Sequence, residues 1–235
     1  MGKSKTKIVV LSGAGISAES GLGTFRDKGG LWDQYDINEV ATPEAWQKNP
    51  ELVLDFYNKR RELVIEAQPN EAHRALAKLE KYYDVHIVTQ NIDDLHERAG
   101  SKNILHLHGE ILKAQCSIDP DEVIQIKGAN LNLGHLSKKG HQLRPHVVWF
   151  GEAVPRMFDA EEIVSNADIF MVVGTSLNVY PAANLLYACK KTCRKFIVDL
   201  NEMTNVKYKN LILYQGKATE KVPALVDKLI QESKL

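Results

Sequence analysis

The sequence is poor in cysteine and has no surplus of charge of either sign. Its 235 residues include three cysteines, and 30 basic residues balance 30 acidic ones. Three widely spaced cysteines do not form a disulfide framework, which favours a reducing, cytoplasmic setting. A neutral chain lacks the field that holds nucleic acid or an anionic membrane, so we expect neither as a partner.

Long apolar runs and biased segments are also missing. No stretch approaches the ~18 uninterrupted apolar residues of a transmembrane helix, and we expect no signal peptide. Hydrophobic residues make up 44% of the chain and charged residues 26%, which is typical of a globular protein. This composition excludes disordered, collagen-like and coiled-coil chains.

Short continuous apolar runs predict the strands of a buried sheet. The clearest lie at 7–11, 85–89, 169–173 and 196–200, with weaker ones at 104–107, 147–150 and 211–214. Helical periods lie between them at 72–79, 182–189 and 222–229. Strands that alternate with helices predict an α/β fold with a doubly wound, Rossmann-like parallel sheet.

Two stretches, 27–69 and 113–146, do not fit this alternation. The first makes the connection between the first two strands far longer than a simple βαβ crossover needs. The second is polar and carries only weak strand signals. We interpret both as insertions that form a smaller domain, a helical insertion plus a compact module, above the ligand-binding edge of the sheet. The Rossmann-like domain is then expected to comprise 1–26, 70–112 and 147–235.

A glycine-rich turn directly follows the first predicted strand. Residues 13–18 read GAGISA and satisfy the dinucleotide-binding pattern G-x-G-x-x-A, in which backbone N–H groups approach a pyrophosphate. The same residues suit a plain tight turn, and both interpretations stay open on this evidence. A dehydrogenase would need a second strand about twenty residues later that ends in Asp or Glu. No such strand is predicted, so we do not expect a hydride-transfer enzyme.

Polar side chains follow the run at 85–89, where a buried strand reaches its ligand-binding edge. Gln90, Asn91 and Asp93 are costly to bury there without a partner. Asn91 or Asp93 could instead cap the helix that follows. His106 and His108 lie on one face of another predicted strand, so periodicity alone does not choose between them as a general base.

Short motifs follow one another along the chain: GAGIS at 13–17, SG at 20–21, TFRD at 24–27, GLW at 30–32, TQNID at 89–93, LHG at 107–109, RPHVVWFGE at 144–152 and GTSL at 174–177. In this order they resemble the motifs of the sirtuin family of NAD-dependent protein lysine deacylases. The resemblance covers nearly the whole chain and makes the Rossmann-like domain the expected NAD-binding domain.

The resemblance implies NAD as co-substrate, with free lysine, nicotinamide and O-acyl-ADP-ribose as products. It selects His108 as the general base, because the family's base directly precedes the glycine of His-Gly, and Asn91 as a second catalytic residue. The NAD-binding residues that it implies are Gly13, Ala14, Gly15, Ile16, Ser17, Phe25, Arg26, Trp32, Gln90, Asn91, Ile92, Asp93, Gly174, Thr175, Ser176, Asn201 and Ala218. The residues that it implies for an acylated peptide or protein, bound by β-augmentation, are Val148, Phe150, Gly151 and Glu152.

The sequence departs from the family pattern in its metal ligands. Many sirtuins hold a structural zinc with two Cys-x2-Cys pairs, whereas 113–146 contains Cys116 alone. A closed tetrahedral site needs four ligands. We therefore expect no zinc, with the small domain held by packing. A weak three-ligand remnant of Cys116, His135 and His141 is the alternative.

Arg60 interrupts the apolar stripe of a predicted helix over 53–67. It could simply extend past its neighbours into water. However, Tyr57 and Arg60 are i, i+3 neighbours and can direct a hydroxyl and a guanidinium at one point. Tyr-x-x-Arg resembles the sirtuin subgroup that removes succinyl, malonyl or glutaryl groups, which implies activity on acetyl and acidic acyl groups. Arg61, about 100° around the helix, is expected to be a neutral control position.

Three functions remain open at this point. The leading one is a deacylase. An ADP-ribosyltransferase would use the same nicotinamide displacement with another acceptor, and a non-enzymatic NAD-binding module would release no nicotinamide. The sequence makes no prediction of the oligomeric state.

Overall fold

A computed structural model describes residues 5–24, 31–177, 179–201 and 210–234, without the side chains of residues 32 and 33. Its strands are β1 (Lys7–Ser12), β2 (Asp84–Thr89), β3 (Ile104–His106), β4 (Gly109–Cys116), β5 (Val123–Gln125), β6 (Leu143–Val147), β7 (Ile169–Val173), β8 (Arg194–Asp199) and β9 (Leu211–Gln215). Its α-helices are α1 (Ile37–Val40), α2 (Pro43–Lys48), α3 (Pro50–Glu66), α4 (Glu71–Leu79), α5 (Leu95–Arg98), α6 (Met157–Ser165), α7 (Leu185–Ala188) and α8 (Ala218–Glu232).

Six of these strands form one parallel sheet in the order β3-β2-β1-β7-β8-β9. The chain builds outward from β1 through β2 to β3, and then crosses to the other side of β1 to place β7, β8 and β9. Such a reversal opens a crevice at the carboxyl edge, here between β1 and β7. The predicted α/β, doubly wound fold is confirmed.

The sheet is apolar on both faces, which explains why its strands are continuous apolar runs. Ile8 and Val10 of β1 pack with α4 and α8 on one face, whereas Val9 and Leu11 pack with α6 and α7 on the other. All four side chains are fully buried. Truncating one of them to alanine would cost roughly 2–5 kcal/mol, because the closed core cannot collapse around the cavity.

The polar insertion forms a second sheet of three antiparallel strands in the order β5-β4-β6. The weak strand prediction at 147–150 is wrong, because β6 ends at Val147 and the chain turns at Gly151, where φ is 90°. Trp149 is nevertheless 2% exposed, so the apolar run reflects packing of a loop. Strand β4 runs across the predicted domain boundary at 112–113, and the domain division stays a prediction.

Helix α3 begins at Pro50, directly after Asn49. The Asn49 side chain accepts a hydrogen bond from the Leu52 amide and Pro50 occupies the first turn, as expected for a helix N-terminus. Val53, Phe56, Tyr57 and Val64 are buried, but Leu63 is 38% exposed.

Arg61 is fully buried, so its use as a neutral control position is wrong. Its guanidinium donates to Ile111 O and to Asn58 Oδ1, both at 2.7 Å, and to Ala129 O at 2.5 Å. These bonds tie α3 to β4 and to the segment before Leu131.

The predicted helix at 182–189 is shorter than expected, because a 3₁₀ turn at Ala182–Asn184 precedes α7. Among the described helices, none is both long and apolar enough to cross a membrane.

Candidate active site

A cleft of ≈ 690 Å³ lies at the carboxyl edge of the parallel sheet. The loops after β1, β2, β7 and β8 form one side, and α3 and the loop after β6 form the other. The predicted site residues that line it are Gly13, Ala14, Gly15, Ser17, Tyr57, Arg60, Gln90, Asn91, Ile92, Asp93, His108, Val148, Phe150, Gly151, Glu152, Gly174, Thr175, Ser176, Asn201 and Ala218.

Among the described residues, Ile16 is the predicted site residue that does not line the cleft. Ile16 is fully buried in the hydrophobic core beside α4 and α8. Phe25 and Arg26 lie outside the described residues, and the side chain of Trp32 is not described. Contacts of these four residues with NAD remain predictions.

The glycine turn is locked against the loop that follows β7. Gly13 N donates to Val173 O at 3.0 Å, and Gly15 N donates to Gly174 O at 2.9 Å. A Cβ atom on Gly13 would come within 2.6 Å of Thr175 Cβ, and one on Gly15 within 2.7 Å of Gly174 Cα. The glycines are therefore required for packing between the loops, and their two amides are already engaged rather than directed at a phosphate.

Because the two loops pack so closely, backbone atoms without side chains line the cleft between β1 and β7, where the strand order of the sheet reverses. No side chain projects from Gly13, Gly15 or Gly174 to fill it, and the cleft above continues to polar groups on the loop after β2. A dinucleotide needs such a flat cradle for its phosphates beside polar partners for its riboses. The residues present therefore fit NAD.

Three polar side chains meet where the loops after β1 and β2 come together. Ser17 Oγ donates to Asp93 Oδ2 at 3.0 Å, and Asn91 Nδ2 donates to Ser17 Oγ at 3.1 Å. Asp93 Oδ1 also accepts from the Leu95 amide at 3.2 Å, so Asp93 holds the first turn of α5 as well as lining the cleft. Burial raises the pKa of Asp93. Asp93 lines the cleft as predicted, but the alternative that Asn91 or Asp93 is the N-cap of α5 is wrong, because Asp94 occupies that position without a side-chain cap bond.

His108 has one ring nitrogen engaged and presents the other to the cleft. Its Nδ1 lies 2.9 Å from Gln90 O, a group that only accepts hydrogen bonds. The proton of the neutral ring is therefore on Nδ1, which leaves Nε2 as a base. Burial lowers the pKa of His108 below its usual 6.5, so the ring is neutral at pH 7.

Tyr57 and Arg60 lie side by side on α3 and both line the cleft. They are 3% and 8% exposed. Burial lowers the pKa of the Arg60 guanidinium and raises that of the Tyr57 hydroxyl. Among the hydrogen bonds and ion pairs of the described residues, none involves the Arg60 side chain. The Asp93 carboxylate is near enough for its charge to act on Arg60, but it forms no hydrogen bond or ion pair with the guanidinium. A buried cation without a hydrogen-bonded anion is costly, and a ligand carboxylate would offset that cost.

The loop after β6 is held from below by Arg144. Its guanidinium donates to both carboxylate oxygens of Glu152, and that carboxylate also accepts from the Trp149 amide. Glu152 was predicted to contact substrate, but its carboxylate is engaged in fixing the loop. In the sequence, Arg144 is the first residue of the RPHVVWFGE motif, and no role was predicted for it because the spacing does not indicate a pair with Glu152.

Sequence reasoning also missed a buried polar group beneath the cleft. Ser12 Oγ donates to Thr89 Oγ1 and contacts His96 Nε2, each at 2.9 Å. The His96 ring packs edge-on against His73 at a centroid distance of 4.9 Å. Ser12 and Thr89 are the last residues of the parallel strands β1 and β2 and lie opposite each other in the sheet. Their positions at the two strand ends are the signal that could have indicated a contact between their side chains. Thr89 Oγ1 in turn accepts from the Asn91 amide at 3.0 Å.

The described residues contain no group of three or more His, Cys, Asp and Glu side chains arranged to hold a metal ion. Cys116 is buried at the end of β4, and His135 Nδ1 accepts from the Asn132 amide. The expected lack of zinc stays a prediction, to be checked by metal analysis.

A doubly wound sheet with this glycine turn and this polar cleft defines a class of α/β proteins that bind a dinucleotide at the strand switch point. Residues 13–181 match the Sir2 family, and the chain belongs to that family.

Relatives of known activity and structure agree with this assignment. A protein of Helicobacter pylori named "NAD-dependent protein deacylase" is 50% identical over 224 residues, which are 95% of this chain and 97% of that protein. A Sir2 homologue solved as a complex with NAD is 40% identical, with a TM-score of 0.87 over 97% of this chain and 91% of that one. A Sir2 protein solved with a deacetylated p53 peptide and 3′-O-acetyl-ADP-ribose is 30% identical, with a TM-score of 0.78 over 98% and 94%.

Proposed function

We propose that this chain removes acyl groups from lysine side chains of proteins and uses NAD as co-substrate. The observation that carries the proposal is the neutral His108 ring, with Nε2 in the same cleft as Asn91 and Asp93. The H. pylori relative that shares half of its residues with this chain is named for this activity. A cytoplasmic location and acylated proteins as partners belong to the same proposal.

The residues of the cleft divide the work. NAD, when bound, would supply a ribose carbon to accept the acyl oxygen, with nicotinamide as the leaving group. His108 would take up at Nε2 a proton from a ribose hydroxyl, while its Nδ1 stays bonded to Gln90 O and keeps the ring in place. Asn91 and Asp93 present polar groups from a rigid turn, and the bare backbone of Gly13 and Gly174 leaves room for the phosphates.

The acidic acyl groups are the finer part of the proposal. Arg60 has a desolvated guanidinium in the cleft that no carboxylate of the described residues hydrogen-bonds, although the charge of Asp93 acts on it, and Tyr57 lies one helical turn away. Such a pair can bind the distal carboxylate of a succinyl or malonyl group, with the guanidinium as donor to both oxygens. An acetyl group would occupy the same space without that bond.

The test is a panel of acetyl-, succinyl- and malonyl-lysine peptides incubated with the protein, with and without NAD, and analysed by mass spectrometry. Deacylation that depends on NAD, with O-acyl-ADP-ribose formed, is expected. Transfer of ADP-ribose to the peptide or to the protein itself would favour the ADP-ribosyltransferase. No release of nicotinamide would indicate a binding module.

A further inference from the structure

The histidine that periodicity could not separate from His108 makes its own contacts with the cleft. His106 lies on β3, and its side chain is 9% exposed. Its Nδ1 lies 2.9 Å from Asn91 O and its Nε2 lies 2.8 Å from Glu97 Oε1 on α5. His106 is thus a bridge between a residue of the cleft and a carboxylate outside it.

Both neighbours of the His106 ring are hydrogen-bond acceptors. A backbone carbonyl cannot donate, and an ionised carboxylate cannot either. Two acceptors at hydrogen-bond distance require a proton on each ring nitrogen, so the geometry favours the imidazolium form of His106. His108 differs, because only one of its ring nitrogens faces a protein acceptor.

The charges around His106 agree with this assignment. Burial is the largest influence on the pKa of His106 and lowers it, but the bond and charge of Glu97, the Asn91 carbonyl and the charge of Glu110 together raise it above 6.5. Burial likewise opposes ionisation of Glu97, but the bond and charge of His106, a backbone hydrogen bond and the charge of Lys113 together lower the pKa of Glu97. The titratable groups that act on His106, or are acted on by it, are Glu97 and His96 of α5, Glu110 of β4, Asp93 of the loop after β2 and His146 of β6.

The two histidines hold consecutive carbonyls of the turn after β2. His108 holds Gln90 O and His106 holds Asn91 O, both at 2.9 Å. The Asn91 amide N–H is fixed by Thr89 Oγ1 and its side chain by Ser17. With its carbonyl free, the peptide plane after Asn91 could rotate and carry the side chain away from the cleft.

We propose that His106 is a positioning residue: held as an imidazolium by Glu97, it fixes the Asn91 carbonyl and thereby the Asn91 side chain in the cleft. The proposal rests on the proposed deacylase function. The catalytic effect is expected in kcat rather than in KM for the peptide, because Asn91 lies at the cofactor side of the cleft and the peptide loop at 148–152 is held separately by Arg144.

The variants are His106→Leu, which removes both bonds, His106→Gln, which keeps one donor for the Asn91 carbonyl, and Glu97→Gln, which keeps the contact without the charge. The control is His86→Leu, since His86 forms a similar pair with Asp84 on β2, at 3.1 Å, away from the cleft. We expect kcat for nicotinamide release to fall about tenfold or more in His106→Leu, since a charge-assisted hydrogen bond is lost. We expect His106→Gln to recover part of the loss and the control to match the wild type.

Two readouts separate positioning from mere support of the fold. The sign of the pH effect follows from the raised pKa: the imidazolium is present below it and is lost as pH rises through it. Wild-type kcat should therefore show an alkaline decline that His106→Gln lacks. NMR titration of the His106 ring should give a midpoint above ~6.5 in the wild type and a lower one in Glu97→Gln.

A midpoint at or below ~6.5, or one unchanged in Glu97→Gln, would overturn the imidazolium. A kcat within twofold of wild type in His106→Leu would overturn the positioning role. The role would also be overturned if kcat fell equally in all variants and in parallel with their melting temperatures. A wild-type protein that releases no nicotinamide would instead refute the proposed function, while the NMR titration would still decide the charge of His106.

Discussion

Arg144 and Glu152 form a two-point ion pair, with nitrogen–oxygen distances of 2.8 and 3.0 Å. The guanidinium carbon also lies 3.6 Å from the centre of the Trp149 ring. The pair spans the base of the loop at 148–152, with side chains 10% and 26% exposed. The shape of the proposed peptide-binding loop thus depends on a contact that lies beneath it.

Replacing Arg144 by lysine should loosen that loop without touching the NAD side of the cleft. An ammonium cannot supply the planar fork or the stacking on Trp149. We expect KM for an acetylated peptide to rise about tenfold, KM for NAD to stay within twofold, and the free energy of unfolding to fall by about 2 kcal/mol. Steady-state kinetics and urea unfolding measure these effects, and Arg156→Lys, in an exposed pair with Asp159, is the control. An unchanged peptide KM would refute the role of the pair.

His108→Tyr should abolish acyl transfer and leave the fold and NAD binding largely intact, because the variant removes the base while every other residue that lines the cleft is unchanged. The lowered pKa adds a pH dependence: the neutral base is present above that pKa and is lost as pH falls through it, so the acidic decline of acyl transfer should lie below pH 6.5. Peptide deacylation followed by mass spectrometry checks both. Activity within a few-fold of wild type in the variant would exclude His108 as the base.

Arg60→Met and Tyr57→Phe should change acyl preference. A charge-assisted bond to a distal carboxylate is worth roughly 1.5–3 kcal/mol, so kcat/KM for succinyl-lysine should fall about 10- to 150-fold. The rate on acetyl-lysine should change little. Arg60→Lys should restore only part, since the ammonium lacks the fork.

Lys59→Met is the control for these variants, because Lys59 lies on the same helix with a side chain 49% exposed. Arg61 is unsuitable as a control position, since its substitution would remove the hydrogen bond that joins α3 to Ile111 O of β4. Equal losses on acetyl and succinyl peptides would mean that Arg60 only supports the helix.

The buried pair of His73 and His96 should make the protein sensitive to acid. Burial lowers the pKa of His73 to about 4 and that of His96 well below 6.5. Both rings are neutral when folded, so their stabilising effect is complete above the unfolded value near 6.5 and is lost as pH falls from there towards the folded values. Each ring should contribute a slope of about 1.4 kcal/mol per pH unit in that window.

Urea unfolding at pH 7, 6 and 5 measures the slope of this loss. His73→Phe should flatten it, whereas substitution of the half-buried His86 should not. A slope in the wild type no steeper than in His73→Phe would contradict the assignment.

Purified protein should contain no stoichiometric zinc, and a chelator should not lower its melting temperature. A structural zinc contributes directly to folding, so its loss would be visible. Elemental analysis and thermal unfolding with and without EDTA provide the measurement. About one zinc per chain would instead support the remnant of Cys116, His135 and His141.

The centre of the sheet could be predicted because β1, β7 and β8 are buried on both faces, which leaves continuous apolar runs in the sequence. The small antiparallel sheet could not, because it is short and partly exposed: Val123 of β5 is 37% exposed, and β6 carries Arg144 and His146 among its five residues. The loop at 147–150 was mistaken for a strand because burial of Trp149 leaves the same apolar signature.

The cleft was predictable where residues sit at strand ends or one helical turn apart, as with Asn91 and the pair Tyr57 and Arg60. Contacts set by the tertiary fold were not. Arg61 meets β4 far along the chain, and His73 meets His96 only because α4 and α5 pack together. A residue can also have two functions: Asp93 accepts a hydrogen bond from the Leu95 amide in the first turn of α5, and it lines the cleft.

The interlocked glycines affect how mutational data on this protein should be interpreted. In a library of random variants, substitutions at Gly13, Gly15 and Gly174 would be depleted together, even under selection for abundance alone. That pattern would resemble a nucleotide-binding signature although it reports how two loops fit. A ligand contact would be shown instead by positions depleted only when activity is selected, and Asn201 is one position where the two selections should diverge.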